Sequence, residues 1–492
     1  MTASKTETAL AGTCCTAGTP PRRAGGPAQV VLISPYEIGR QPFALAHAAA
    51  WLRRAGLSVD CLDLAVERLD PARLSGARLV AVHLAMHTAT RLAAAALPLI
   101  REAAPGAHLC AFGLYAPVNE RYLRGLGFES VLGGECEPDL TELAREIVAG
   151  GGDGAAGSRV AAHVRLERVP FLLPARDTLP PLERYARLLL PGGGERTVGF
   201  AETTRGCKHL CRHCPVVPVY RGRFWAIPVE TVLADIAQQV EAGAEHISFG
   251  DPDFLNGPTH ALRVVRALHE RFPHLSWDCT VKIEHLLRHR DLLPELRKRG
   301  CLFVISAVEA VDDAILARLD KGHTAADLER AVTLMRAAGL ALAPTFVPFT
   351  PWTTLEGYVL LLETLVRLRL VEAVAPVQLA IRLLVPAGSR LLELEALHPH
   401  LGPFDPALLG HPWRHPDPRV DALQRRVQAW AAEAERRGLP RREAFAGVWR
   451  LAHEALGRAA PALPEDLGEP VPRLSEPWYC CAEPTEDQLT KL

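Results

Sequence analysis

The chain has 492 residues, 48% of them hydrophobic, and a formal charge of −1, which is enough apolar material for two or three domains. Its basic residues are mostly Arg scattered along the chain rather than blocked into a patch, which argues against a nucleic-acid footprint. Apolar runs such as 358–366 are broken by Glu and Arg well before about 18 residues, so no membrane span is expected, and the start lacks the basic and apolar regions of a signal peptide. Twelve cysteines without an export signal suit a reducing cytoplasm and metal or redox use rather than disulfides.

Residues 1–27 are rich in Thr, Ala, Gly and Pro, contain Cys14 and Cys15, and hold little from which to build a core. Over 28–150 the pattern alternates. Short apolar strands at 29–33, 58–62, 77–83, 107–112 and 130–132 are separated by striped helices at 42–55, 90–102 and 138–149. That alternation predicts a doubly wound, Rossmann-like parallel sheet. Its ligand edge lies at the carboxyl ends of the strands, displaying 34–37, 83–87, 113–117 and 133–135. Residues 151–195 read as a linker: a glycine-rich join, a possible strand at 159–168, then an ordered crossover at 170–177.

The stretch Glu202-Thr203-Thr204-Arg205-Gly206-Cys207-Lys208-His209-Leu210-Cys211-Arg212-His213-Cys214-Pro215 follows a short strand. Three thiolates spaced Cys-x3-Cys-x2-Cys can hold three irons of a cubane cluster and leave the fourth open, unlike the four-cysteine sites of ferredoxins. Zinc completed by a histidine, or plain structural cysteines, is the competing reading.

This spacing and its flanks resemble the radical S-adenosylmethionine (SAM) superfamily. The resemblance is narrower to the subgroup with an N-terminal cobalamin-binding-type domain, which the turn Gly134-Glu135-Cys136-Glu137 supports. The tail Cys480-Cys481-Ala482-Glu483-Pro484 is similar to a CCAEP-tail branch in which selenocysteine can replace one cysteine. The resemblance implies a [4Fe-4S] cluster on Cys207, Cys211 and Cys214, SAM on the open iron, and a flavodoxin or ferredoxin reductant. It leaves cobalamin open, because no Asp-x-His-x-x-Gly stretch is present and Leu114-Tyr115 is bulky where small residues are common.

Residues 196–395 repeat strand and helix six times, with strands at 198–200, 246–249, 275–280, 302–306, 341–348 and 377–384. This resembles the open (β/α)6 partial TIM barrel of the superfamily, whose chemistry lies at the carboxyl ends of strands. There the resemblance places Gly250, Asp251 and Asp253 at the methionine-binding turn. Lys282 is placed against a carboxylate, Ser306 and Glu309 at the ribose or amino group, and Arg382 at the sixth strand end. The loop 348–354 departs from the usual adenine loop. Helices at 419–436 and 441–456 form a helical region over 396–460, expected to cover the open barrel. The proline-rich tail 461–492 delivers Cys480 and Cys481 to the active site, as two soft donors or a redox pair.

The expected function is radical modification of a small molecule after SAM cleavage, assisted by the thiol pair. Three alternatives stand beside it: cobalamin-dependent methyl transfer, transfer of a SAM-derived group to a soft atom such as arsenic, and a non-catalytic iron–sulfur electron carrier or sensor.

Overall fold

The computed structural model describes residues 28–150 and 162–476. Cys14, Cys15 and the proposed Cys480–Cys481 pair lie outside the described residues.

Strands β1 (Val30–Ser34), β2 (Val59–Asp63), β3 (Leu79–His83), β4 (His108–Phe112), β5 (Ser130–Gly134) and β6 (His163–Arg165) form one parallel sheet in the order β2-β1-β3-β4-β5-β6. A parallel sheet covered on both faces needs apolar residues at every position, and all five residues of β1 are buried. Val31 and Ile33 enter one core while Val30 and Leu32 enter the other, the two-residue period of a strand. Helices Phe43–Arg54 and Glu137–Val148 cover the second face, and His87–Ala103 covers the first. The strand expected within 159–168 extends the sheet edge as β6.

The second sheet follows the crossover. Its strands are β7 (Arg187–Leu189), β8 (Glu195–Ala201), β11 (His246–Phe249), β12 (Ser276–Thr280), β13 (Cys301–Glu309), β14 (Ala341–Phe346) and β15 (Arg473–Leu474), in the order β14-β13-β12-β11-β8-β7-β15. A hairpin of β9 (Thr204–Gly206) and β10 (Phe224–Ala226) stands apart from it. Strands β8, β11, β12, β13 and β14 are parallel and form the half barrel, whereas β7 and β15 add antiparallel strands at its edge.

The sixth strand expected at 377–384 is replaced by a 3-10 turn, Pro376–Leu379, and a single parallel bridge, Phe349 to Arg382. Pro376 has no N–H to give a ladder. Side chains take the carbonyls that a strand would have used: Tyr358 Oη donates to Leu379 O at 2.8 Å and Gln424 Nε2 to Ala380 O at 3.1 Å.

Helices Pro418–Arg436 and Arg441–Ala455 do not close the barrel mouth as the sequence suggested. They share a core with helix Leu355–Arg367 through Val420, Leu423, Val448 and Trp449, and so buttress the edge where the sixth strand is missing.

The crossover is locked by Arg176, which is buried. It donates to Asp235 at 2.8 and 2.7 Å, to Phe200 O at 2.6 Å and to Gln41 Oε1 at 3.1 Å. One guanidinium thereby joins the first domain, the crossover, β8 and helix Val229–Glu241. Removing one partner of a buried ion pair leaves the other charge uncompensated, at about 3–5 kcal/mol. Arg176→Met is therefore expected to lower stability by about that amount in urea or thermal unfolding. Adding Asp235→Leu should recover part of the loss.

Candidate active site

Strand β8 runs into the cysteine loop, and the β9–β10 pair clamps both ends of that loop. Gly206 makes the clamp possible: its φ is +78°, and a Cβ there would lie 2.4 Å from Arg223 O. The loop is tied outward by Arg212 N to Leu319 O at 3.0 Å, Ser389 Oγ to Arg212 O at 3.2 Å and Arg390 Nη1 to Leu210 O at 2.6 Å. Cys207 and Cys211 are buried, Cys214 is half-buried, and all are free thiols. Burial pushes the Cys207 and Cys214 thiols up, and for Cys214 the neighbouring Cys211 and Cys207 add to the effect.

The two loop histidines face carboxylates. His209 Nε2 lies 3.2 Å from Asp253 Oδ2, and His213 Nε2 lies 3.0 Å from Glu309 Oε1. A closed zinc site needs four donors, whereas the loop gathers three sulfurs and turns its histidines elsewhere.

The sulfurs sit at one end of a cavity of about 400 Å³ that runs between the half barrel and the carboxyl edge of the first sheet. Gly250 lines it, and a Cβ at this position would overlap the Phe200 ring at 2.1 Å. Lys282 and Glu309 also line it. Glu309 has φ +71° and follows a register shift in β13; such irregularities re-aim side chains beside functional sites. Burial alone would raise its pKa, but Lys321 Nζ at 3.2 Å and His213 bring it down to about 2, so the carboxylate stays ionised.

The remaining predicted residues stand off the cavity. Asp251 accepts from Thr203 N, Thr203 Oγ1 and Thr204 Oγ1 at 3.0, 2.7 and 2.5 Å, bracing the link into the cysteine loop. Asp253 is fully buried and caps Leu255 N at 3.0 Å with one oxygen. Ser306 is buried between the cavity-lining Ile305 and Ala307, and alternation along the strand turns it to the other face. Arg382 stacks 3.4 Å above the Trp413 ring and donates to Asp421 and Trp413 O, fastening the C-terminal region.

Sequence reasoning missed the groups that join the two domains. Arg205 is buried and pairs with Glu137 at 2.5 Å, Glu202 at 3.1 Å and Glu135 at 3.4 Å. Leu172 N donates to His47 Nε2 at 3.2 Å, and His47 Nδ1 lies 2.7 Å from Glu137 Oε1 and 3.0 Å from Arg205 Nη2. Burial raises Glu137, but Arg205 and His47 outweigh it and hold the carboxyl well below its usual range. Glu37 and Glu202 line the cavity from opposite domains. Burial pushes Glu202 up to about 7 despite Arg205, and burial with neighbouring Glu202 holds Glu37 well above its usual value. The available signal was Glu202 and Arg205 at i,i+3 inside the cysteine motif, opposite the acidic turn at 135–137.

The geometry defines a half-barrel protein with an open three-cysteine cluster loop facing a Rossmann-like domain. Residues 201–355 match the model of the radical SAM superfamily, and the parallel six-stranded sheet precedes that stretch. Among curated proteins it is similar to tRNA-2-methylthio-N(6)-dimethylallyladenosine synthase of Haemophilus influenzae, 27% identical over 196 residues, covering 37% of this chain and 40% of that one. The chain thus spans well under half the length of that relative. The radical SAM methyltransferase TsrM from Kitasatospora setae, solved with tryptophan and a SAM analogue, superposes with TM-score 0.56 at 19% identity over 69% of this chain and 71% of that one. The cobalamin-dependent enzyme OxsB, solved with aqua-cobalamin, gives TM-score 0.64 at 15% identity over 83% and 67%. These two likenesses are of fold.

The superfamily domain implies a [4Fe-4S] cluster and SAM, and three clustered thiols at one end of a cavity fit that pair. Cobalamin fits in part. Met86, Leu114 and Tyr115 offer an apolar wall, and burial lowers the neighbouring His83 to about 4, keeping it neutral. The glycine notches of the sheet edge are filled by the chain itself. Cβ atoms at Gly133 and Gly134 would lie 2.2 Å from Pro117 and 2.0 Å from Arg165 O. The edge therefore suits a planar face and gives these notches to no nucleotide arm.

A pH dependence follows from Glu202. Its folded pKa of about 7 exceeds the ordinary 4.5, so the folded state binds more protons between these values. Stability contributed by this group is present below pH 4.5 and declines as pH rises towards 7. Glu202→Gln should flatten that decline in melting curves taken at several pH values across the window.

Proposed function

We propose that the chain uses Cys207, Cys211 and Cys214 to hold a [4Fe-4S] cluster, cleaves SAM at its open iron, and modifies a small molecule in the cavity between its two domains. The observation that carries this reading is that all three thiols line one cavity of about 400 Å³ between the half barrel and the first sheet. A simple electron carrier has no use for such a chamber. When bound, the cluster and SAM supply an organic radical by one-electron reduction. The protein's own contribution is containment. Lys282, Lys321 and ionised Glu309 provide fixed charges for polar groups at the barrel end, and the first domain walls the chamber from water. Flavodoxin or ferredoxin supplies the electron, and the setting is cytoplasmic.

Cys480 and Cys481 assist at the chamber. Strand β15 pairs with β7, and Glu476 then bonds Tyr36 Oη and packs on Gly39. The neighbouring Glu37 and Ile38 line the chamber. From Glu476, four residues can span at most about 14 Å at full extension. The pair would hold a soft substrate atom, arsenic being one candidate, or return a reduced intermediate. Cobalamin-dependent methyl transfer is the second reading, favoured by the fold shared with TsrM and OxsB.

Anaerobic reconstitution is expected to give about four iron and four sulfide per chain. SAM should perturb the cluster spectrum, and dithionite should yield 5'-deoxyadenosine or methylthioadenosine. Cys211→Ala should abolish all three signals; a stable zinc protein showing none of them removes the reading. Corrinoid analysis of the same preparation separates the alternatives, since tight stoichiometric cobalamin selects methyl transfer.

Ser at both 480 and 481 should spare cluster assembly and SAM binding while leaving mostly uncoupled SAM cleavage. Product formation in extracts of the native host should fall strongly. Unchanged product formation assigns the tail to packing.

A further inference from the structure

A second cluster of metal-ligating side chains lies beside the three cysteines, formed by the cysteine loop and two further elements. His209 comes from the loop itself, Asp253 from the turn after β11, and His285 from helix Ile283–Arg288 after β12. One ligand atom from each lies within 4.8 Å of the others. Asp253 and His285 are fully buried, and His209 is mostly so.

The hydrogen-bond inventory of this cluster does not close. Asp253 spends Oδ1 on Leu255 N and leaves Oδ2 turned to the imidazoles. His285 Nδ1 lies 2.7 Å from that oxygen, and His285 Nε2 has no hydrogen-bond partner among the described residues. A fully buried imidazole with an idle nitrogen is uncommon, because buried polar groups are nearly always satisfied. Behind His209 the arrangement is also that of a ligand. Its Nε2 faces Asp253, and its Nδ1 lies 4.0 Å from Glu284 Oε2, a carboxylate on the side from which metal-bound histidines are commonly oriented, though beyond hydrogen-bond distance. Glu284 is held in turn by Lys282 at 3.5 Å and Arg288 at 2.8 Å.

We propose that His209, Asp253 and His285 bind a divalent metal ion, distinct from the ion cluster on the cysteines. Two imidazoles and one carboxylate suit zinc, ferrous iron or cobalt rather than calcium or magnesium. One buried carboxylate and two imidazoles offer donors to a dication, while Lys282 and Glu284 lie 3.5 Å apart as an ion pair beside them. Three protein donors leave a coordination position for water or a substrate oxygen. That position borders the chamber, because His209 and Lys282 both line it. The ion would also tie the cysteine loop to the ends of β11 and β12.

The test separates this site from the cysteines. A full-length chain carrying Ala at 207, 211 and 214 and Ser at 480 and 481 is stripped with chelator and titrated with cobalt chloride alone. The expected result is about one cobalt per chain, with weak visible bands and no thiolate charge transfer. His209→Gln, on a partly exposed loop, should keep the circular dichroism of its parent and weaken cobalt binding at least about 10-fold; Asp253→Asn should do the same. In case the chain with these substitutions does not fold, the reconstituted holoenzyme is analysed directly, where zinc, or iron in excess of sulfide, should vanish in His209→Gln. No bound metal in a folded parent, binding indifferent to His209→Gln, or a thiolate charge-transfer band overturns the proposal. Because the titration needs no cluster, its failure is independent of the radical chemistry.

Discussion

The guanidinium of Arg205 sits where three parts of the chain meet: the first sheet's acidic turn, the end of β8 and the entry to the cysteine loop. Its partners Glu135 and Glu137 belong to one domain, and Glu202 belongs to the other. The rings of Phe43 and Phe171 lie against it at 5.5 and 5.3 Å. Burying so many charges costs several kcal/mol per ion before any attraction is counted. Such a network gives little net stability, but it permits few alternative arrangements. With Arg176 also bonding β8 and the first domain, two buried arginines fix the distance between the two domains alongside apolar contacts such as Leu114 and Val118 against Val216 and Val219.

That constraint determines the character of the chamber. Burial raises the pKa of Glu37, with Glu202 adding to the effect, and raises that of Glu202 to about 7 despite Arg205. Lys321 and His213 hold Glu309 ionised. One chamber therefore presents carboxyls that hold their protons more tightly than usual on walls from both domains and an ionised carboxylate on its barrel side. Polar substrates entering it meet two different electrostatic surfaces within one volume.

Much of this was legible in the sequence, for identifiable reasons. The strands of the first sheet are short unbroken apolar runs, so β1, β4 and β5 fall within a residue or two of their expected bounds. The cysteine triad announced its own loop. The sixth barrel strand was not legible, because a run such as 377–384 reads as strand by composition. Its fate depends on Tyr358 and Gln424, distant residues that take its carbonyls. Arg382 was assigned to the rim by position along the chain, while its contacts with Trp413 and Asp421 come from a region that no local pattern connects to it. Arg205 was in plain sight within the quoted motif, yet its partners lie about 70 residues earlier, and no periodicity links an arginine to an acidic turn in another domain.

The pairing of β15 with β7 bears on how the chain is made. β7 is synthesised long before β15, so the outer edge of the half barrel stays uncapped while the intervening chain emerges. An open strand edge invites pairing with other chains, and large nascent proteins are exposed to such errors. Until then the segment around Tyr36 and Gly39 also lacks its Glu476 contact. Synthesis of β15 thus seals the sheet edge and this flank of the chamber in a single event.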